Sequence, residues 1–221
     1  MDIKGAIFDL DGTLVDTMPV WENIGYEYIS KKGFKADKID NYIFKNLSLH
    51  QSALYFKQKF GVSESVEQII DEVSEMTMEF YCGAEPREGA VEFLQFLEAC
   101  GAKACVATAT ERPLAEAVLK ANGMMKYIDK IYTCTEIGHG KDESIIYDMA
   151  LEYLGSNKNN TLVFEDALHA AKTAIAADYK VVGIYDPSEA KTAELEAIAY
   201  DYIKDYYELE WFSENLTVGV H

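Results

Sequence analysis

A chain of 221 residues, 49% of them hydrophobic, is long enough to bury a substantial core and to carry one α/β domain with an inserted subdomain. Its 20 basic against 38 acidic side chains leave a net charge of −18 and no block of Lys and Arg, which argues against nucleic acid and anionic membrane surfaces as partners. No apolar run reaches the roughly 18 residues of a membrane span and no basic-then-apolar signal opens the chain, so the expected address is the cytoplasm.

Residues 3–8 are mostly apolar and predict a short buried strand, which continues as Asp9-Leu10-Asp11-Gly12-Thr13. Asp9 and Asp11 then stand at the carboxyl end of the strand, where open α/β sheets place their ligand crevices. In extended backbone, side chains two apart point the same way. Two carboxylates held that close repel unless a cation or a shared proton separates them, so the pattern implies a metal, acid/base work, or both. Alone it is weak, because turns are rich in Asp and Gly for backbone reasons.

From Thr17 to Glu85 the pattern is helical throughout. Met18-Pro19 opens a helix with Trp21, Ile24 and Tyr28 on one face, and Lys31-Lys32-Gly33 ends it. Ser48-x-x-Gln51 predicts a capping box for a helix through Leu54, Tyr55 and Phe60, stopped by Gly61. Val66, Ile69, Ile70, Val73, Met76 and Phe80 follow at helical spacing. The aromatic residues read as bundle core, with Trp21 as a candidate substrate contact.

After Pro86 strands and helices alternate: helix 88–100, strand 103–107, helix 113–122, strand 128–133, helix 142–154, strand 161–164, helix 167–177 and strand 180–184. Strand, crossover helix, parallel strand is the doubly wound pattern. Thr108-Ala109-Thr110 ends the second strand, where a hydroxyl and unpartnered helical amides make an anion site. Thr110 as a simple helix cap is the competing reading. Lys141 follows Gly138-His139-Gly140 ahead of the apolar stripe Ile145, Ile146, Met149, Ala150, Tyr153, Leu154. Its ammonium can serve a phosphoryl oxygen or an aspartyl nucleophile, although lysines near helix starts are ordinarily solvated. Glu165-Asp166 suits a hard, oxygen-seeking cation, unless Asp166 caps the next helix. Ala190 to Ala199 reads as helix and Tyr200 to Ile203 as an edge strand. Cys82, Cys100, Cys105 and Cys134 lack metal spacing and are expected reduced and mostly buried. The four histidines are scattered without zinc-site spacing.

Asp9-Leu10-Asp11-Gly12-Thr13, Thr108, Lys141 and Glu165-Asp166, in this order and each at a strand end, make the chain resemble the haloacid dehalogenase superfamily. The resemblance spans nearly the whole chain and lies in the branch of β-phosphoglucomutase and phosphoglycolate phosphatase. It implies an α/β fold: a doubly wound parallel sheet, the Rossmann-like core of residues 1–16 and 86–221, with an inserted α-helical cap of residues 17–85. A cap so placed is expected to act as a lid that excludes and then admits water.

By the same resemblance, Asp9 attacks phosphorus and forms an aspartyl-phosphate, while Asp11 protonates the leaving oxygen and later activates water. The Asp9 side chain, the Asp11 backbone carbonyl and the Asp166 side chain would bind Mg²⁺, with Glu165 close enough to assist. Thr108 and the Ala109 amide would hold the phosphoryl oxygens, and Lys141 would offset the charge around Asp9. Asp11 argues for phosphorus chemistry, since the dehalogenase relatives attack carbon without such a proton donor. After Lys141, relatives often continue Pro-x-Pro-Asp, and this chain departs with Asp142-Glu143-Ser144-Ile145.

The expectation is therefore a Mg²⁺-dependent phosphatase of a small phosphorylated metabolite, a monomer or weak homodimer. A β-phosphoglucomutase-like mutase is the alternative. Against it, the segment Ser63 to Cys82 has no Lys or Arg with which to hold a second phosphate. Leu49 and Trp21 also stand where the resemblance would place the mutase's cap arginine and hinge histidine. Other cationic groups remain elsewhere in the cap, such as Lys45 and His50, so the mutase stays as the alternative. A phosphoreceiver module is disfavoured by motif order and by the cap. A catalytically silent binding protein is disfavoured by the presence of both carboxylates, Lys141 and Asp166.

Overall fold

The computed structural model of the protein describes residues 3–35, 49–210 and 212. The chain divides into two units, one of Met1–Asp16 with Glu85–His221 and one of Thr17–Ala84.

The first unit is built on six strands: β1 (Gly5–Phe8), β2 (Lys103–Thr108), β3 (Lys130–Thr133), β4 (Thr161–Glu165), β5 (Lys180–Ile184) and β6 (Asp201–Ile203). They form one sheet in the order β3-β2-β1-β4-β5-β6, and every pairing is parallel. All residues of β1 and β4 are buried, because crossover helices cover both faces of a parallel sheet and exclude polar alternation. Phe8 lies beside Val106 on one side and Phe164 on the other, so β1 is central. The connections turn in opposite directions on its two sides, which makes the carboxyl ends of β1 and β4 the switch point where such sheets bind ligands.

One face of the sheet carries an aromatic cluster. Phe8 stacks on Phe164 with ring centroids 4.5 Å apart, Phe93 meets Phe164 edge-on at 5.3 Å, and Tyr206 stacks on Phe93 at 5.1 Å. The other face packs Ile7, Cys105, Val163 and Val181 against Ile146, Tyr147, Ala150 and Leu154. Burial of each large side chain contributes about 1.5–3 kcal/mol.

The helices of this α/β unit are numbered after those of the insertion, in chain order: α4 (Ala90–Ala99), α5 (Arg112–Ala121), α6 (Cys134–Ile137), α7 (Ile145–Leu154), α8 (Leu168–Ala176) and α9 (Thr192–Ile198). Strand β3 starts two residues later than the apolar run predicts, since Met125–Tyr127 form a 3-10 turn and the Asp129 N–H and carboxylate are bonded to the Ala104 peptide at 2.8 and 2.9 Å. Helix α6 is not in the sequence pattern; Thr133 caps it by accepting from the Glu136 N–H at 3.3 Å. Helix α7 buries Ile146, Tyr147, Ala150 and Leu154, whereas Met149 and Tyr153 of the predicted stripe are exposed. Only Cys105 is buried among the cysteines; Cys82 and Cys100 are exposed and Cys134 is intermediate, against the expectation of mostly buried thiols.

The second unit contains α1 (Met18–Lys31), α2 (Leu49–Phe60) and α3 (Val66–Gly83). Tyr28, Ile29, Ala53, Phe56, Val62, Ile69, Val73 and Met76 form its core. Ser65 opens α3 with a reciprocal capping box: its hydroxyl accepts from the Gln68 N–H at 3.2 Å, and the Gln68 side chain accepts from the Ser65 N–H at 2.9 Å. Helix α3 buries the row Ile69, Val73, Thr77, Tyr81 with Met76, which leaves Phe80 on the flank at 42% exposure, in place of the core position its spacing suggested. Ser48, Lys45 and the side chains of Trp21 and Leu49 lie outside the described residues. No helix among the described residues is long and apolar enough to cross a membrane.

Candidate active site

Strand β1 delivers Asp9 to the switch point. Its N–H continues the ladder by donating to the Phe164 carbonyl at 2.9 Å. The chain then turns back on itself: the Leu10 carbonyl accepts from the N–H groups of Leu14 at 2.9 Å and Val15 at 3.1 Å, and Gly12 donates to the Val15 carbonyl at 2.9 Å. Gly12 is required there twice over. Its φ is +75°, in the left-handed region, and a Cβ at this position would stand 2.4 Å from Asp166 Oδ2. Thr13 closes the turn by donating its hydroxyl to Asp166 Oδ1 at 3.0 Å.

Lys141 is brought to the same point by the loop ahead of α7. Its Nζ lies 2.6 Å from Asp9 Oδ1 and 2.9 Å from Glu165 Oε2. At 7% exposure it is not the solvated lysine that usually precedes a helix. The departure from Pro-x-Pro-Asp at Asp142-Glu143-Ser144 therefore still presents the ammonium. The Tyr147 hydroxyl donates to the same Glu165 oxygen at 3.2 Å.

Carboxylate oxygens of Asp9, Glu165 and Asp166 lie within 4.8 Å of one another. Burial first, then the charge of Glu165, pushes the Asp9 carboxyl up to about 7 against the pull of Lys141. Burial and the charges of Asp9 and Glu165 hold Asp166 well above the usual carboxylate range. Burial alone would lower the Lys141 ammonium, but Asp9 and Glu165 beside it more than reverse this and hold it well above its ordinary value. One ammonium thus faces three buried carboxylates. The unbalanced negative charge and the all-oxygen donor set fit a hard divalent cation such as Mg²⁺, which binds through one or two carboxylates and retains waters.

Thr108 ends β2 and is buried; its hydroxyl oxygen accepts from the Thr110 N–H at 3.0 Å. Ala109 between them is exposed. The Thr110 hydroxyl donates to Asp11 Oδ2, and helix α5 takes Glu111 as its N-cap with no side-chain cap bond, so Thr110 is not a helix cap. Nor is Asp166, since α8 is capped at Ala167 and the Leu168 N–H is accepted by Glu189 at 3.1 Å. The residues whose place here the sequence reading did not assign are Thr13, Tyr147 and, in its bond to Asp11, Thr110. Tyr147 carried a usable signal: it lies three and seven residues before Ala150 and Leu154 on the same buried helical row.

A profile of haloacid dehalogenase-like hydrolases matches residues 6–184. Hexitol phosphatase A of Escherichia coli (strain K12) is 26% identical over 189 residues, covering 86% of each chain. Validoxylamine A 7'-phosphate phosphatase of Streptomyces hygroscopicus subsp. limoneus is 25% identical over 210 residues, covering 94% of this chain and 96% of that protein. Among solved structures, a candidate β-phosphoglucomutase from Thermotoga maritima superposes with a TM-score of 0.84 at 23% identity, over 96% of this chain and 99% of its own; it shares the fold. With the profile running from β1 through β5, this chain belongs to the haloacid dehalogenase-like hydrolases.

Proposed function

We propose that the protein is a Mg²⁺-dependent phosphatase that hydrolyses a small phosphorylated metabolite of the sugar or polyol kind through an aspartyl-phosphate on Asp9. The observation that carries this reading is the buried Lys141 ammonium 2.6 Å from Asp9 Oδ1, with Glu165 and Asp166 beside it. The relatives named as phosphatases of phosphorylated small molecules support the substrate class.

In the first step an Asp9 oxygen bonds to phosphorus while the bond from phosphorus to the leaving oxygen breaks, and Asp11 gives that oxygen its proton. In the second, water attacks phosphorus and passes a proton to Asp11. The bond from phosphorus to Asp9 breaks, and phosphate and the free carboxylate are restored. Lys141 offsets the negative charge that gathers around Asp9, and the Thr108 hydroxyl and Ala109 N–H hold phosphoryl oxygens. The Asp9 and Asp166 side chains and the Asp11 carbonyl would hold Mg²⁺, with Glu165 kept by Lys141 and Tyr147 as an orienting neighbour. When bound, the ion supplies charge neutralisation at the phosphoryl oxygens and draws the Asp9 and Asp166 carboxylates into their ionised forms.

The test is phosphate release from a panel of phosphorylated metabolites with Mg²⁺ and with chelator. Metal-dependent release from sugar or polyol phosphates is expected. Silence across the panel, or release unaffected by chelator, overturns the reading.

A further inference from the structure

Asp11 and Thr110 come from neighbouring strands. Phe8 of β1 lies beside Val106 of β2 in parallel register, so the loops that carry the two residues leave adjacent strand ends in the same direction. Each loop has local bonds of its own. Asp11 bridges to Val15, and the Thr110 N–H donates to Thr108 Oγ1 at 3.0 Å. What joins the loops is the Thr110 hydroxyl, which donates to Asp11 Oδ2 from a position only 7% exposed. Since α5 is capped at Glu111, helix formation does not account for a hydroxyl at Thr110.

We propose that Thr110 is a positioning residue for Asp11, holding the carboxyl group where it can exchange a proton with the leaving oxygen. This rests on the phosphatase reading above. A carboxyl on two rotatable bonds samples several staggered conformers, and a proton donor acts only from the one within reach of the atom it serves. The β-branched Thr110 is stiff at its first side-chain torsion, which makes it a firm anchor. A hydroxyl also suits both halves of the cycle. It donates to an ionised carboxylate, and equally to the carbonyl oxygen that a neutral carboxyl retains. The anchor therefore persists when Asp11 gives up its proton as the leaving bond breaks, and when it takes one back from the attacking water.

Leaving-group dependence separates this role from a general disturbance. p-Nitrophenolate departs without help, whereas phenol, with a pKa of about 10 like a tyrosine side chain, needs a proton. kcat/KM for each ester reports phosphoryl transfer to Asp9. It is measured with Mg²⁺ for p-nitrophenyl phosphate and phenyl phosphate, in the unaltered protein and in Thr110→Val, Thr110→Ala, Thr110→Ser and Asp11→Asn. We expect Thr110→Val and Thr110→Ala to lose about 10- to 100-fold on phenyl phosphate and less than about threefold on the nitrophenyl ester, with Thr110→Ser recovering most of the loss. Two hydroxyl-free variants are included so that misfolding of one leaves the other. Equal losses on both esters, or no loss on phenyl phosphate, overturn the positioning role. Unchanged turnover of both esters by Asp11→Asn removes Asp11 as proton donor, and this proposal with it, while leaving the phosphatase reading intact. Absence of turnover by the unaltered protein removes both.

Discussion

In the proposed reaction Asp9 is the nucleophile, and its surroundings make its replacement informative. Asp9→Asn keeps the size of the side chain, but the amide is a poor nucleophile and no longer an anionic ligand. Turnover should fall at least about 1,000-fold, and appreciable phosphate release by the purified variant would dismiss Asp9 as nucleophile. Asp9 also sets a pH dependence. Its pKa rises from near 4 in the unfolded chain to about 7 in the fold, so between those values the native state binds more protons than the unfolded one. The metal-free protein therefore loses stability at this site as pH rises from about 4 to 7, and the loss is complete above 7. On the proposed reading Mg²⁺ would reverse it by pairing with the ionised groups. Thermal melts at pH 5 and pH 8 should show a larger Mg²⁺-induced rise in Tm at pH 8, and Asp9→Asn should shrink the difference; an equal rise at both pH values would contradict this. The acidic residues and Lys141 were legible in the sequence because each follows an apolar strand run. The hydrogen bonds from Thr13 and Thr110, and that from Tyr147, were not, since they join residues far apart in the chain that come together only through the sheet register or, for Tyr147, through the packing of α7 on the sheet.

At the level of elements, strands were recognised by their apolar runs and helices by their periodicity, and the ends were where expectation and structure parted. Strand β3 and helix α7 start late because turns at Met125–Tyr127 and after Lys141 use residues whose composition suits either state. The stripe on α7 was read rotated, since Tyr147 hides a polar tip behind a buried ring while Met149 and Tyr153 spend apolar surface on solvent. The capping box of α3 offers a measurement free of the catalytic site. Ser65→Ala leaves the Gln68 N–H without its side-chain acceptor and should lower stability by about 0.5–2 kcal/mol, with kcat unchanged. Denaturant unfolding checks it, and a midpoint identical to that of the unaltered protein would show the box to be dispensable. In the same unit, Lys32 pairs with Glu72 at 2.8 Å and with Glu64. These partly exposed pairs fix geometry more than they stabilise.

For the whole molecule, the fold class followed from alternating strand and helix signals, whereas the choice between hydrolase and mutase depends on charge placement. A bisphosphate intermediate needs cations for its idle phosphate, and an unpaired phosphate in a dry site costs several kcal/mol. The stretch Ser63 to Cys82 contains no Lys or Arg. Given β-glucose 1-phosphate and a catalytic amount of the 1,6-bisphosphate, the protein should release inorganic phosphate faster than it forms glucose 6-phosphate; the opposite order would make it a mutase. The insertion joins the sheet unit at a closed seam. The Asp16 N–H donates to the Glu85 carbonyl at 2.9 Å and Val15 bridges to Pro86, so the two ends of the intervening segment are clasped before that segment begins. Loop-closure entropy grows only slowly with length, and a clasped pair of ends makes the sheet nearly indifferent to what lies between them. The helical segment is in that sense a cassette, whose length is set by its own folding and not by the closure of the strand ends that carry it.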